Sequence, residues 1–318
     1  MSYIKLNDIS KDYLSGMCLV GDELSQLIVT SWDGTVSLYD WEQNSLLGRL
    51  RHEYALTSVA MCQGFSKCYV GSVQGEILEV DWESEKLVPV SSVSCELGIA
   101  AMGSYGHYLT VGSWDSSFIV LDTRRNSVIV HQNLSGKVLS LDCSENKVAV
   151  LTTAGIFVYH TNEIGSLPVR KDSGLKYQSR CIRLIPKDLG YVQSSVDGRV
   201  AVEFFDDNES KFAFRCHRLN LKDMQLVSPV NCMCFNPTTS MLYTGGSDGK
   251  IFVWNLVTRK KSEELAKLDD SIVAMCCNKK VLAVAVSDDS FKTSAAVEDI
   301  GLQSSKVCLK ILGNASTP

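Results

Sequence analysis

Gly245-Gly-Ser247-Asp-Gly249 satisfies the Gly-x-Ser-x-Gly pattern of a serine nucleophile letter for letter. That chemistry needs a strand that turns sharply into a helix and lifts the serine clear of the sheet. Here Ile251-Phe-Val-Trp254 follows, itself a strand sequence, so the turn is expected to join two strands. Gly249-Lys250 lacks the Ser/Thr and the spacing of a phosphate loop. Cys232-Met-Cys234 and Cys276-Cys277 lack zinc-ribbon spacing, and the histidines at 52, 107, 131, 160 and 217 form no His-Glu-x-x-His or comparable cluster. The reading is of a chain with no catalytic residue, no metal site and no cofactor.

Binding chemistry is better represented. Lys211, Arg215, Arg218 and Lys222, with His217 among them, put four positive charges into twelve residues without one acid. Arg199 and Lys250 directly follow turn glycines, where comparable stretches carry Thr35, Glu76 and Ile156. Any one of these reads as a solvated strand residue. As a set on a chain of 31 basic and 36 acidic residues, net charge −5, they suggest an anion pocket. A run so compact favours phosphate or a Glu-rich peptide over a long polyanion. Trp32 and Trp114 are the other candidates, because each occupies a tight turn where Trp has no turn-forming merit. Each ring either folds over a neighbouring turn as packing or stands out as an anchor for a bound peptide, as Trp does at interface hot spots.

These residues sit in a repeated unit. Ser31-Trp-Asp-Gly34 before Val36-Ser-Leu-Tyr-Asp-Trp41 is echoed by Ser72-Val-Gln-Gly75, Ser113-Trp-Asp-Ser116, Thr152-Thr-Ala-Gly155, Ser195-Val-Asp-Gly198, Gly246-Ser-Asp-Gly249 and Ser287-Asp-Asp-Ser290. The last residues of these turns are 41, 41, 39, 43, 51 and 41 apart. A period near forty, with an Asp-Gly turn and an aromatic-ended strand, marks WD-type blades of about 40–45 residues. The expectation is an all-β fold: one seven-bladed WD40-type propeller over residues 1–318. Tyr3-Ile-Lys-Leu6 has no hairpin partner of its own and is expected to complete the last blade. The first unit is expected to place three strands in residues 17–41 and a fourth in 46–50, and later units to span 58–90, 100–130, 137–171, 181 onward and 230–265. Lys211-Phe-Ala-Phe-Arg-Cys-His-Arg218 reads as one outer strand, Phe212, Phe214 and Cys216 facing one way and Ala213, Arg215 and His217 the other. Residues 219–229 read as a linker, 291–305 as a surface loop and 313–318 as a fraying end. Arg259-Lys260-Lys261 is expected on the rim opposite the turns, as a solvated hairpin.

Composition narrows the function classes. Hydrophobic residues make up 45% of the chain, enough for a large core, and the negative balance opposes a broad nucleic-acid surface. No run approaches the ~18 apolar residues of a membrane helix. The twelve cysteines are scattered through apolar strands behind a start, Met-Ser-Tyr-Ile-Lys, that lacks a signal-peptide core. They read as reduced thiols of an intracellular protein, so the sequons at Asn133, Asn208 and Asn314 are not expected to be glycosylated.

Several blocks carry a family resemblance: Ser31-Trp-Asp-Gly34, Tyr69-Val-Gly-Ser-Val-Gln-Gly-Glu-Ile-Leu78, Gly174-Leu-Lys-Tyr-Gln178, Ser195-Val-Asp-Gly-Arg-Val-Ala-Val-Glu-Phe204, Phe212-Ala-Phe-Arg-Cys-His-Arg218 and Gly246-Ser-Asp-Gly249. Across residues 10–312 the chain resembles the spindle-checkpoint WD-repeat family, the propeller partners of the Bub kinase, most nearly in their fungal form. The resemblance implies a non-enzymatic adaptor of the nucleus and kinetochore. Members bind a short acidic segment, the GLEBS motif, in the checkpoint kinase and its Mad-type relative. They also recognise phosphorylated Met-Glu-Leu-Thr (MELT) repeats of the outer-kinetochore scaffold. Residue by residue, Trp32, Trp114 and Arg199 match positions that contact the GLEBS segment, and Arg215 matches one in the phosphothreonine site, with Arg218, His217 and Lys222 beside it. Lys176 and Arg180 lie nearby in sequence. Where relatives carry a basic residue early in the sixth unit this chain has Thr238-Thr239, which leaves a phosphate contact from there without its basic group. The alternative is the related messenger-RNA export propeller of nuclear pores. That class should be more basic, and a net charge of −5 argues against it.

Overall fold

A short apolar strand between Gly, Asp and Ser turns cannot bury both its faces alone, so a chain of such strands must stack sheet upon sheet. The computed structural model, which describes residues 3–62, 66–90, 93–206, 208–290 and 303–313, does this in a closed ring. Four-stranded antiparallel sheets occupy residues 14–51, 56–89, 99–133, 138–171, 179–215 and 230–264. The seventh combines Ser271–Cys277, Val281–Ser287 and Lys306–Ile311 with Ile4–Lys5 from the other end of the chain. The fold is the all-β seven-bladed propeller that the repeat predicts, with short 3-10 turns such as Thr161–Glu163 and Pro186–Asp188 between strands. The insert at residues 291–302 and the tail at 314–318 fall outside the described residues.

The core is a ring of layers between blades, not one central mass. Leu27, Val29 and Tyr39 of the first blade pack with Val281, Ala283 and Leu309 of the seventh. The other six clusters each join the next two blades in the same way, ending with the sixth against the seventh. The second and third strands therefore read as near-continuous apolar runs, Val281–Ser287 being buried at every position. Outer strands lack a second neighbour, and Lys260–Glu264 is exposed at every position.

Ring closure rests on the N-terminus. Ile4 pairs with Leu309 and Lys5 with Cys308, after which the Leu6 amide donates to the Val307 carbonyl at 2.9 Å. Ile4 and Lys5 are themselves exposed, and Leu6 carries the burial. The piece thus acts mainly by covering a sheet edge. Deleting residues 1–8 is expected to cost soluble expression and to lower the melting temperature; a truncated chain that melts with the full-length protein refutes the closure.

One expected element is corrected. The outer strand of the fifth blade stops at Arg215, because His217 adopts a left-handed backbone (φ 51) that turns the chain inward. Arg218–Asn220 then pairs with Gln225–Val227 as a separate hairpin. This hairpin, not a linker, accounts for the long step of the repeat.

The turns between second and third strands show why their residue types recur. Gly34 and Gly75 take φ near +85 and lie so close to the link into the next blade that a Cβ would fall 2.4 Å from the His52 carbonyl oxygen and 2.2 Å from that of Cys95. The third blade holds the same turn with Ser116 at φ 80. Amides of the links donate back to these turns, His52 to Gly34 at 2.8 Å and Cys95 to Gly75 at 3.0 Å. Turns and links therefore share one rim.

Candidate peptide-binding rim

The same backbone bond fixes the residue after the first position in the turns of the first six blades. Trp32 donates to Tyr13, Val73 to Ala55, Trp114 to Gly98, Thr153 to Lys137, Val196 to Gln178 and Ser247 to Pro229, all at 2.9–3.1 Å. Trp32 and Trp114 are therefore equivalent positions two blades apart on the turn rim. Their settings differ. Trp32 is 43% exposed and meets Tyr13 edge-on, ring centroids 5.8 Å apart. Trp114 is half-buried and lies over Gly98, where a Cβ would come within 2.6 Å of its ring. Exposed Tyr54 and Leu97, in the links after the first and second blades, stand between them, and exposed Tyr177 continues the series before the fifth blade. Sequence reading did not single out Tyr54 and Leu97 as candidates; bulky apolar residues in short links are the signal that could have flagged them.

Cations gather where this aromatic series ends. Arg199 and Arg215 are direct cross-strand partners at the rim end of the fifth blade. Arg199 Nε donates to Asp197 Oδ2 at 2.8 Å, and Arg218 Nη2 donates to the Asp197 carbonyl at 2.7 Å with its charge 3.9 Å from the same carboxylate. Arg218 also donates to Gln225 Oε1 at 2.7 Å, and its buried Nε has no partner among the described residues. Arg215 is exposed and has no polar partner among the described residues. Arg199 and Arg218 thus share one carboxylate, and Arg215 stands beside Arg199 without one of its own among the described residues. Like charges placed directly opposite across a strand pair repel, so an arriving anion relieves them. Lys222 is exposed at the tip of the added hairpin. Lys250 leaves the set, its charge answered by Glu264 at 2.9 Å.

His217 is not on the rim. It is buried, its Nδ1 2.8 Å from Asp248 Oδ1 and its Nε2 3.1 Å from Thr244 Oγ1, while the Trp254 indole N–H donates to the same hydroxyl at 3.1 Å. A carboxylate only accepts, which assigns the proton to Nδ1. The ring staples the exit of the fifth blade to the body of the sixth, and both nitrogens are occupied. Its placement as a phosphate ligand is therefore corrected. Ser247 likewise lies in a turn between strands, bonded to Asn231 and Asp289 at 2.9 Å each, with no histidine among its hydrogen-bond partners in the described residues.

Thr238 and Thr239 follow the first strand of the sixth blade and lie on the rim opposite Arg215, their amides bound to Asn236 Oδ1 at 2.8 and 3.0 Å. No single phosphate spans the two places. Arg180 belongs to an inner strand and lines the central channel, a space of about 210 Å³ shared with Arg183 and Asn231. Lys176 is exposed on the rim, 5.8 Å from the centre of the Tyr177 ring.

Turn aspartates hold the rim in shape. Burial alone would push the carboxyls of Asp33, Asp115 and Asp248 up. Hydrogen bonds outweigh it: from Thr35 and Ser10 to Asp33, from Ser117 to Asp115, and from His217 to Asp248. All three are held below the ordinary carboxylate value. A depressed folded value means stability that is present above the unfolded aspartate value, about 3.9, and lost as pH falls through the folded one. Melting temperature should thus be insensitive to these groups from neutrality down to about pH 5 and fall below about pH 4, and Asp33→Asn should soften that fall. An acid transition centred near pH 6 assigns it to other groups.

Comparison with known proteins follows the same lines. The WD domain, G-beta repeat family matches residues 223–255. The mitotic checkpoint protein bub3 of Dictyostelium discoideum is 33% identical over 278 residues, covering 82% of each chain. The chain belongs to the bub3 family of mitotic checkpoint proteins. Within that family the spindle assembly checkpoint protein bub3 of Schizosaccharomyces pombe is 28% identical, covering 87% of this chain and 88% of its own. The poly(A)+ RNA export protein of the same yeast is 27% identical over 83% of this chain and 78% of its own. The solved structure of U3-55K superposes with a TM-score of 0.81 over 98% of both chains at 15% identity, a likeness of fold. As a bub3 family member this is a mitotic checkpoint WD-repeat protein.

Proposed function

We propose that the chain is a non-enzymatic adaptor whose turn rim holds two peptides. An acidic GLEBS-type segment of a Bub-family kinase or Mad-type protein lies along Trp32, Trp114 and Arg199, and a phosphothreonine of a MELT repeat in the kinetochore scaffold meets Arg215, with Arg218 and Lys222 beside it. His217 acts from beneath, as a positioning residue. The protein so acts in the nucleus, at kinetochores. The observation that carries this reading is the Arg199–Arg215 pair at the end of an exposed aromatic series, where Arg199 already shares Asp197 with Arg218 and Arg215 has no acid of its own among the described residues. Similarity to an RNA export protein is the observation on the other side; a net charge of −5 argues against a broad nucleic-acid surface.

The test is calorimetric titration with phosphorylated and unphosphorylated MELT peptides. A charge-assisted hydrogen bond is worth roughly 1.5–3 kcal/mol, and a guanidinium can give phosphate two in parallel. Arg215→Ala should cost about tenfold or more in phosphopeptide affinity, and Arg215→Lys, which keeps charge but not the fork, should recover part. Equal loss for both peptides, or none, makes Arg215 a structural strand residue.

A further inference from the structure

Between the fifth and sixth blades, on the rim opposite the turns, the surface opens into a groove of about 380 Å³. Ile185 and Leu189 form one wall at the end of the fifth blade's first strand, Phe204 closes its third, and Leu256 and Val257 face them from the sixth blade. The volume falls among those of pockets that enclose ligand groups, roughly 300–1,000 Å³. Ile185 is buried, but Leu189 is 53% exposed and Val257 is 93% exposed. Val257 lies in a hairpin turn, where polar and glycine residues are the usual choice and a lone apolar side chain in water adds nothing to the fold.

Charge at the groove is asymmetric. Lys187 and Arg259 flank it against one lining acid, Glu209. Lys187 is exposed with no polar partner among the described residues, and the Arg259 guanidinium stands over the Phe212 ring at 4.5 Å while donating to the Ser210 carbonyl. A cation held in place over an aromatic ring beside an apolar trough fits a carboxylate next to aliphatic side chains. Strands of five to seven residues separate this groove from the turn rim, about 20 Å at the rise of a β-strand, so a segment lying along the tryptophans does not cover it.

We propose that this groove is a second docking site, whose occupant is a short segment of another protein carrying bulky aliphatic side chains next to an aspartate or glutamate. It is independent of the peptides assigned to the turn rim. The probe is a display library of random dodecapeptides, selected on the wild-type protein and counter-selected on a Leu189→Asp/Val257→Asp variant. Clones that survive should pair Leu, Ile or Met with Asp or Glu. Made as a fluorescent peptide, the leading clone should bind the double variant at least tenfold more weakly and Arg259→Ser several-fold more weakly. Val257→Asp alone, at a site too exposed to affect folding, should give most of the loss at an unchanged melting temperature. A selection whose clones bind the double variant as well as the wild type, or which lack the aliphatic and acidic pairing, overturns the proposal.

Discussion

Replacing His217 with alanine should lower the unfolding free energy by roughly 1–3 kcal/mol, the cost of leaving buried hydrogen-bonding groups unsatisfied. Domains of this kind have about 5–15 kcal/mol in all, so the loss should be plain in any denaturation curve. The size follows from what is left behind. Asp248 loses the donor that holds its carboxyl below the ordinary value, Thr244 keeps only the Trp254 contact, and a void opens beside Phe252, whose ring centroid lies 4.8 Å from that of His217. Gly246 supplies an independent check. A Cβ there would fall 2.4 Å from His217 Nδ1, so Gly246→Ala should be severe in the wild type and much milder when His217 is already alanine. A double-mutant cycle reads that coupling directly. If His217→Ala melts with the wild type while phosphopeptide affinity falls, the ring is a ligand after all and the interior assignment fails.

His217 also shows where the sequence stopped being legible. The repeat period located the blades, and the equivalence of Trp32 and Trp114 followed from turn register alone; the backbone bonds to Tyr13 and Gly98 agree with it. Period-two alternation then carried the strand past Arg215, since nothing local announces a histidine in the left-handed region. A cue existed in the repeat itself, because WD units pair an early histidine with a later Trp-Asp, and Trp254-Asn255 stands 37 residues after His217. The charge of Lys250 was misread for a related reason. Its partner Glu264 lies across a strand pair, where Phe252 is opposite Glu264, and only the register reveals the neutralisation. Tyr54 and Leu97 lie in links without periodicity, so their exposure depends on closure of the ring. The groove between the fifth and sixth blades was illegible altogether, its walls coming from segments separated by some fifty residues or more of chain.

Replacing Trp32 or Trp114 with alanine should weaken binding of a synthetic GLEBS-type peptide by about 2 kcal/mol or more, roughly thirtyfold, as truncation of an interface anchor does. The two substitutions should part company on stability. Trp32 is 43% exposed, and Tyr13, which its ring meets edge-on, is held to the blade by other bonds, so Trp32→Ala should melt with the wild type. Trp114 fills the space left by the missing side chain of Gly98, so its removal leaves a hollow against that link and should cost about 1–2 kcal/mol in folding. Tyr54 and Leu97 stand between them, so Leu97→Ser should reduce affinity by a smaller factor while leaving the fold intact. Binding and melting measured on the same preparations separate the cases. If Trp32→Ala binds as the wild type does, the exposed ring is no anchor, and the segment must be held by Arg199 and the cations beyond it. If Trp114→Ala loses binding only in proportion to its loss of stability, its part is packing, and the peptide path runs from Trp32 toward the fifth blade without it.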